Sequence, residues 1–246
     1  MTERLNHHVF LPWVWREHLA RYHFASRYVA GKVVVDCACG EGWGSEIFIK
    51  HGAKIVEAVD REKEAVRRAA ERIRSEKIRW HVSDAHHLPV ENHVVDVYIS
   101  LETIEHLRED LLFLKEAVRV LKRDGIFICS TPNRTVTNPG RRIDERPSNP
   151  FHEREYSTEE YKNLLQKIFF NVELYGQNPN KRSTTRVLEG VSRRLGPSAA
   201  LFVLRLSKIR FFWGDSLRLH EVCPVDSGVN YEYLTAVCSG PRQEFL

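Results

Sequence analysis

The sequence predicts an α/β fold in which helices cover both faces of a mostly parallel sheet. Residues 33–36 are three valines and an aspartate, a run that is typical of a buried strand. Three later apolar stretches also end in an acidic residue, at positions 60, 84 and 102. Charged or amphipathic helical stretches, at 62–76 and 109–122, lie between or after these strands. Strands and helices that alternate in this way favour parallel pairing, because a parallel connection needs a long crossover.

A glycine-rich turn follows the first strand. Glycines stand at 40, 42 and 44 after Asp36, and a helical rhythm begins at Glu46. Because glycine lacks a Cβ atom, the turn lets a ligand approach the backbone, and the following helix presents its N–H groups to that ligand. The turn lacks the Gly-Lys-Ser or Gly-Lys-Thr ending of a phosphate-binding loop. A carboxylate at Asp36 would repel a pyrophosphate, so it favours a cationic ligand.

This segment, residues 33–45, resembles motif I of the class I S-adenosylmethionine-dependent methyltransferases. Their cofactor, S-adenosyl-L-methionine, carries an ammonium and a sulfonium that suit the charge of Asp36, and its product is S-adenosyl-L-homocysteine. The resemblance extends over roughly residues 15–175. It implies a Rossmann-like sheet that is mostly parallel, with an antiparallel last strand and an insertion before that strand.

The other acid-ended strands agree with this resemblance. Asp60 lies 20 residues after Gly40, the distance at which a Rossmann-type fold offers a carboxylate to ribose hydroxyls. In the family, the counterpart of Asp84 faces the adenine amino group, and the fourth strand ends beside the transferable methyl group. Residues 17–22 resemble a segment of sugar-modifying methyltransferases, although a solvated amphipathic helix is the alternative. The predicted cofactor-binding residues are Arg21, Tyr22, Asp36, Ala38, Gly40, Gly42, Gly44, Asp60, Arg61, Asp84, Ala85 and Leu101.

The composition describes a soluble globular protein, with 42% hydrophobic and 28% charged residues. The net charge of +4 neither requires nor excludes an anionic partner. The five cysteines are scattered and include no Cys-x-x-Cys pair, so we expect reduced thiols and a cytoplasmic location. We expect neither a signal peptide nor integral membrane contact, because the first residues lack an apolar core and no run has the length of a membrane span.

Three regions follow from the motifs. Residues 1–30 are expected to form a helical cap, and residues 31–176 with 226–246 form the cofactor-binding domain, whose last strand lies at 231–238. Within this domain we expect a turn at 123–125, a helix that begins with a capping box of Ser157 and Glu160, and a short strand at 172–175. Residues 177–225 are interpreted as an insertion or lid that recognises the substrate. Its basic and aromatic stretch, 199–213, could form a buried lid, a helix of a homodimer interface or a helix on a membrane surface.

A cluster of candidate catalytic residues follows the fourth strand. Glu102, Glu105 and His106 stand at positions i, i+3 and i+4 of a helix that is predicted to begin there, so they would share one face. Glu-x-x-Glu-His with the later His152 resembles the magnesium site of the small-RNA 3′-end 2′-O-methyltransferases. This resemblance implies that Glu102, Glu105, His106 and His152 bind Mg²⁺ or Mn²⁺. Without a metal, the two acids would favour the helix dipole, and His106 or His152 would act as the base beside Glu105.

The nature of the acceptor is predicted from two motifs. Residues 130–133 (Ser-Thr-Pro-Asn) and 149–156 (Asn-Pro-Phe-His-x-x-Glu-Tyr) resemble methyltransferases encoded with glycosyltransferases. They imply an O-methyltransferase of a sugar or glycan hydroxyl, in which a divalent cation chelated by a vicinal diol activates that hydroxyl. The alternatives are the 3′ end of an RNA, and a quinone or phenol, because ubiquinone-pathway O-methyltransferases share Glu-x-x-Glu-His. Scattered basic residues disfavour the nucleic acid. A cofactor-binding subunit without activity is the non-enzymatic alternative.

Overall fold

The computed structural model describes residues 12–179 and 221–245 of the chain. Within them, eight strands form one sheet: β1 (Val33–Cys37), β2 (Ile55–Asp60), β3 (Ile78–Val82), β4 (Val95–Leu101), β5 (Leu121–Pro132), β6 (Phe169–Pro179), β7 (Cys223–Pro224) and β8 (Tyr231–Pro241). The described helices are α1 (Pro12–Ala25), α2 (Trp43–Lys50), α3 (Lys63–Arg72), α4 (Asp110–Val120), α5 (Arg134–Thr137) and α6 (Thr158–Gln166). Short 3₁₀ helices lie at Ser26–Tyr28, Ile104–His106 and Gln243–Phe245.

The strand order confirms the predicted fold class. The sheet runs β3-β2-β1-β4-β5-β8-β6-β7, with parallel pairing from β3 to β5. The last long strand, β8, pairs antiparallel with both β5 and β6. The order reverses between β1 and β4, because the chain moves outward from β1 to β3 and then returns to the other side of β1. Ligands of such sheets bind at the carboxyl ends of the strands beside this reversal.

The hydrophobic core has one layer on each face of the sheet. The side chains of Val34 and Val35 are fully buried and belong to different layers, because successive residues of a strand point to opposite faces. Val34 packs in the layer that contains Phe48 of α2, and Val35 packs in the layer that contains Phe113 of α4. Full burial of a valine contributes about 1.5–3 kcal/mol, so a strand covered on both faces is uniformly apolar.

The turn expected at residues 123–125 is a bulge within β5. Val95 of β4 pairs with Leu121, and Val97 pairs with Ile126, so residues 122–125 lie opposite Asp96 alone. A bulge of this kind accommodates extra residues while the flanking pairs keep their register.

Two predicted elements near the end of the chain differ in extent from the structure. The capping box that the sequence predicts at Ser157 and Glu160 is present at the start of α6. The strand expected at 172–175 is longer, because β6 pairs with β8 from Phe169 to Pro179. Residues 177–179 of the predicted insertion therefore belong to the sheet, as do Cys223 and Pro224 in β7. The stretch 199–213 lies outside the described residues.

The predicted helical cap is represented by α1 and the 3₁₀ helix that follows it. Tyr22 packs edge-on against Phe48 of α2 with the ring centroids 6.0 Å apart. Phe24 contacts Tyr175 of β6 at 4.7 Å between ring centroids. These contacts join α1 both to the helix after the glycine-rich turn and to the antiparallel part of the sheet. Within the described residues, no helix combines the length and apolar character that crossing a membrane requires.

The capping box provides a test of the fold's local stability. Replacing Ser157 with alanine removes the side-chain oxygen that accepts from the Glu160 N–H, while the buried face of α6 stays intact. We expect the free energy of unfolding to fall by about 1 kcal/mol, measured by urea denaturation. Glu159→Ala, an exposed first-turn change outside the box, is the control. Equal losses in the two variants would contradict the capping role.

Candidate active site

The glycine-rich turn forms a loop that is held against the neighbouring strand. The Cys39 N–H donates to the Val59 carbonyl at 3.0 Å, and the Gly40 N–H donates to Asp60 Oδ2 at 2.8 Å. Gly42 adopts a φ of 76° directly before α2, a left-handed conformation that glycine tolerates without strain. Ala38, a predicted cofactor-binding residue, is also left-handed, with a φ of 61°. The first N–H groups of α2 and those of the loop therefore meet at the carboxyl end of β1.

Asp60 lies at the end of β2, as predicted, and its carboxylate also holds the loop in place. Its Oδ2 accepts from Gly40, and its Oδ1 accepts from the Glu62 N–H at 2.9 Å. The carboxylate at the end of β2 thus shapes the turn from the neighbouring strand. Removal of Asp60 would disturb the loop backbone in addition to any contact with a ribose.

Asp36 lies at the base of the loop and is nearly inaccessible, with 3% of its surface exposed. Its Oδ2 accepts a hydrogen bond from the Ser45 hydroxyl at 2.6 Å. Burial raises the pKa of Asp36 to about 7, since the bond from Ser45 only partly offsets desolvation and the nearby Asp60 adds repulsion. A cation bound beside Asp36 would favour its charged form.

Tyr22 covers the loop from α1. A Cβ atom added to Gly44 would lie 2.3 Å from Tyr22 Cε1 and 3.1 Å from Asp36 Oδ2, so a glycine is required for this close approach. The structure thus brings Tyr22 to the predicted cofactor loop. Its neighbour Arg21 instead lies 3.7 Å, Nε to Oε1, from Glu102 at the end of β4.

The remaining predicted cofactor residues lie around the same edge. Asp84 follows β3, where its Oδ1 accepts from the His86 N–H at 2.9 Å. Although partial burial opposes the effect, hydrogen bonds from His86 lower the pKa of Asp84, which therefore stays charged. Arg61 is exposed and lowers the same pKa electrostatically. Ala85 packs against the core layer that contains Val35. Leu101 packs against the layer on the other face of the sheet, which contains Val34.

The helix predicted after the fourth strand is only one 3₁₀ turn, Ile104–His106. Glu102 precedes it with a φ of 53°, a left-handed conformation that is rare outside glycine. Its N–H donates to both the carbonyl and the hydroxyl of Ser130, and the Ser130 hydroxyl donates to Glu102 Oε1 at 2.6 Å. The expected common helical face of Glu102, Glu105 and His106 is therefore wrong, because Glu102 is tied to β5.

Three of the four predicted metal ligands converge. Glu105, His106 and His152 each offer a ligand atom, and these atoms lie within 4.8 Å of one another. The Glu102 carboxylate is not part of this group. His106 Nδ1 faces the Phe151 carbonyl at 2.9 Å, so the ring donates from Nδ1 and its Nε2 lies 3.9 Å from Glu105 Oε1. The His106 and His152 rings meet edge-on at 4.8 Å.

Glu105 is the most unusual group of the site. It is 1% exposed, and neither carboxylate oxygen has a hydrogen-bond partner among the described residues. Burial, followed by repulsion from Glu102, raises the pKa of Glu105 well above its ordinary value. An uncompensated carboxyl group is costly in a protein interior unless it is neutralised or meets a cation. One oxygen ligand and two imidazoles therefore fit a divalent cation.

Three polar residues that the prediction omitted hold Glu102 and His152 in place. Ser130 is fully buried and holds Glu102, and Glu155 and Asn149 contact the two ring nitrogens of His152. The run Asn149-Pro-Phe-His152-x-x-Glu155 contained a usable signal, because it places an amide and a carboxylate close in sequence to His152. Nothing in the sequence indicated the role of Ser130, which depends on the pairing of β4 with β5.

Comparisons with known proteins agree with the fold. Residues 35–129 match the family of methyltransferase domains. A protein of Mycolicibacterium smegmatis, named a probable S-adenosylmethionine-dependent methyltransferase, is 35% identical over 159 residues, which cover 65% of this chain and 60% of the relative. A ubiquinone/menaquinone biosynthesis C-methyltransferase of Caulobacter vibrioides is 34% identical over 44% of this chain and 47% of its own. A ubiquinone biosynthesis O-methyltransferase of a Ruegeria species is 32% identical over 43% of each chain. The chain therefore spans 60% or less of these relatives' lengths.

Solved structures share the fold at lower sequence identity. An S-adenosylmethionine-dependent methyltransferase from Mesorhizobium loti has a TM-score of 0.58 at 17% identity, over 92% of this chain and 100% of that one. The cyclase SpnF has the same TM-score and identity, over 92% of this chain and 80% of its own. Together these likenesses show the class I methyltransferase fold. Because one neighbour is named a cyclase, the fold alone does not determine the reaction.

The close approach at Gly44 is testable by a double-mutant cycle. Gly44→Ala forces a Cβ atom into the Tyr22 ring, and we expect it to destabilise the protein by roughly 1–3 kcal/mol. In a Tyr22→Ala background the obstructing ring is gone, so the added cost of Gly44→Ala should be smaller. Urea denaturation of the four proteins measures this coupling. Additive losses would show that Tyr22 does not cover Gly44.

Proposed function

We propose that this chain, which carries the class I methyltransferase fold, is an S-adenosylmethionine-dependent O-methyltransferase of a sugar or glycan hydroxyl. We further propose that a divalent cation bound by Glu105, His106 and His152 assists it. The observation that carries the proposal is the buried Glu105 carboxyl group, which lacks a hydrogen-bond partner among the described residues and meets two imidazoles. This group follows β4, and β4 pairs with β1, the strand that precedes the cofactor loop.

The loop residues suit S-adenosylmethionine, which supplies a methyl group on a sulfonium when it is bound. Asp36 offers a carboxylate to a cationic ligand at the base of the loop. Gly40 leaves open space beside the loop backbone for a ligand, and Tyr22 from α1 packs against Gly44. Asp60 and Asp84 end or follow the next two strands, where they suit the ribose hydroxyls and the adenine amino group.

A sugar hydroxyl needs help to lose its proton during an in-line displacement. Glu105, His106 and His152 together supply one oxygen and two nitrogen ligands, a set that suits Mn²⁺ better than Mg²⁺, because imidazole is a poor ligand for magnesium. A bound divalent cation would lower the pKa of a coordinated hydroxyl. If no cation binds, an imidazole of this group remains available to accept that proton.

Quinone or phenol methylation is the second candidate, favoured by the likeness to ubiquinone-pathway methyltransferases. A phenol has a pKa of about 10 and needs less activation than a sugar hydroxyl. The polar, partly buried group at the end of β4 therefore argues for the less acidic acceptor. RNA is disfavoured, because Arg142 is paired with Asp144 at 2.7 Å and its charge is therefore partly neutralised before it could meet a phosphate.

The raised pKa of Asp36 predicts a pH dependence of cofactor binding. The charged carboxylate attracts the ammonium, so the affinity for S-adenosylhomocysteine should fall as the pH drops below about 7 and level off above it. Calorimetric titration between about pH 5.5 and 8.5 measures this profile, and near pH 7 binding should release protons. Asp36→Asn should bind weakly with little pH dependence, whereas exposed Asp124→Asn should retain the wild-type profile. An unchanged profile in Asp36→Asn would contradict this role.

A second prediction tests whether Glu102 is a fourth metal ligand beside Glu105, His106 and His152. Glu105→Gln should weaken Mn²⁺ binding by about 100-fold or more, since it removes the anionic ligand, while the affinity for S-adenosylhomocysteine stays near normal. Glu102→Gln is the matched control and should keep most of the Mn²⁺ affinity, because Glu102 lies outside the group. Calorimetry or manganese paramagnetic resonance measures both. Tight binding to Glu105→Gln, or no binding to the wild type, would remove the metal from the proposal.

A further inference from the structure

We propose that Glu155 is a positioning residue that fixes the imidazole of His152 in the tautomer protonated on Nδ1, so that Nε2 presents its lone pair to the acceptor site. The inference rests on the proposed function and deepens it, because it assigns a role to a residue behind the Glu105–His106–His152 group. It holds whether His152 binds a cation or accepts a proton, since both roles need an unprotonated Nε2.

Glu155 is built into the interior as a charged acceptor. It is 2% exposed, and its Oε1 lies 2.6 Å from His152 Nδ1. Its Oε2 accepts from the Thr137 hydroxyl and from Asn138 Nδ2, the latter at 2.6 Å. Although burial opposes the effect, the hydrogen bonds from His152, Thr137 and Asn138 lower the pKa of Glu155. A carboxylate can only accept in these contacts, so His152 Nδ1 must donate.

The orientation of Asn138 is determined by a second contact. Its Oδ1 accepts from the Ser148 N–H at 2.8 Å, so its Nδ2 is the atom that faces Glu155. Two donors therefore converge on Oε2 and one on Oε1. This arrangement distinguishes the two oxygens of Glu155, so an amide in place of the carboxylate would have one preferred orientation.

Asn149 selects the same tautomer from the other side of the ring. Its Nδ2 lies 2.8 Å from His152 Nε2, and its Oδ1 accepts from the Phe151 N–H at 3.1 Å. The amide therefore presents a donor to Nε2, which must accept. A proton on Nε2 would point at the Asn149 N–H group. Glu155 and Asn149 thus both favour the tautomer with its proton on Nδ1.

The two contacts differ in strength, and this difference suits the proposed role. A hydrogen bond to a carboxylate is roughly twice as strong as one between neutral groups. The bond between His152 and Glu155 therefore holds the ring, whereas the neutral Asn149 amide is the partner that a cation or an acceptor hydroxyl would replace at Nε2. His152 can exchange one partner at the site without losing its orientation.

Glu155→Gln gives a sharp test, because the amide has only one oxygen to share between Asn138 and His152. Asn138 Nδ2 can only donate at the Oε2 position, whereas the Thr137 hydroxyl can turn to the Asn133 carbonyl, so the amide oxygen should face Asn138 and the NH₂ group should face His152 Nδ1. The ring should then move its proton to Nε2. Nitrogen-15 NMR of the histidine rings at about pH 8, without cofactor or metal, should show Nδ1–H in the wild type and Nε2–H in Glu155→Gln.

The same variant should lose turnover while keeping its cofactor. We expect kcat to fall by about 10–100-fold, with the KM for S-adenosylmethionine near the wild-type value. Glu153→Gln is the matched control, because the Glu153 side chain is half-exposed and pairs with Arg108 at 3.3 Å. It should keep the Nδ1–H signal and the wild-type kcat.

The outcomes separate this inference from the proposed function. An Nε2–H wild type, or Nδ1–H retained in Glu155→Gln with full turnover, would overturn the positioning role. The expected tautomers without any methyl transfer would support the positioning role and overturn the proposed function instead. If Glu155→Gln does not fold, Asn149→Ala provides the test: the hydrogen bond between Glu155 and His152 Nδ1 remains, so Nδ1–H should persist, and its loss would overturn the inference.

Discussion

The parallel pairing of β1 with β2 and with β4 is the constraint on which the candidate site depends. Parallel strands end at the same edge of a sheet, so the groups that follow them meet even though they are far apart in sequence. Asp36 in β1, Asp60 at the end of β2 and Glu102 after β4 reach one edge in this way. The pairing itself is maintained by valines that are buried on both faces. The apolar core thus determines where the polar chemistry lies.

Three buried carboxyl groups of the site, those of Glu155, Asp36 and Glu105, differ in their hydrogen bonds and in their pKa values. Glu155 receives hydrogen bonds from three side chains and stays charged. Asp36 receives one from Ser45 and titrates near neutral pH, since burial raises its pKa to about 7. Glu105 has no hydrogen-bond partner among the described residues, and its pKa is raised well above the ordinary value. The pKa values of the three groups therefore follow their hydrogen bonding: the pKa of Glu155 is lowered, and those of Asp36 and Glu105 are raised.

The fold and the matching domain family support methyl transfer, but they do not specify an acceptor. Relatives named C- and O-methyltransferases both resemble this chain, and a cyclase shares its fold. Specificity must come from the groups added to the shared sheet. In the described residues these are α1, which brings Tyr22 and Arg21 to the edge, and the segment after β5, which brings His152 and its partners.

Much of this arrangement could be predicted from the sequence, because local patterns carry it. The valine run, the glycine spacing and the acids at strand ends predicted the sheet and the cofactor loop, and Ser157 with Glu160 predicted the start of α6. The prediction that Glu102, Glu105 and His106 share one face of a helix was wrong. Helical spacing assumed a helix, whereas bonds from Ser130 hold Glu102 in a left-handed conformation. Sequence by itself determined which residue types end each strand, since periodicity and turn chemistry are local. Only the tertiary structure decided which of them face one another, because the pairing of β4 with β5 and the fold of residues 133–157 bring together groups that are distant in sequence.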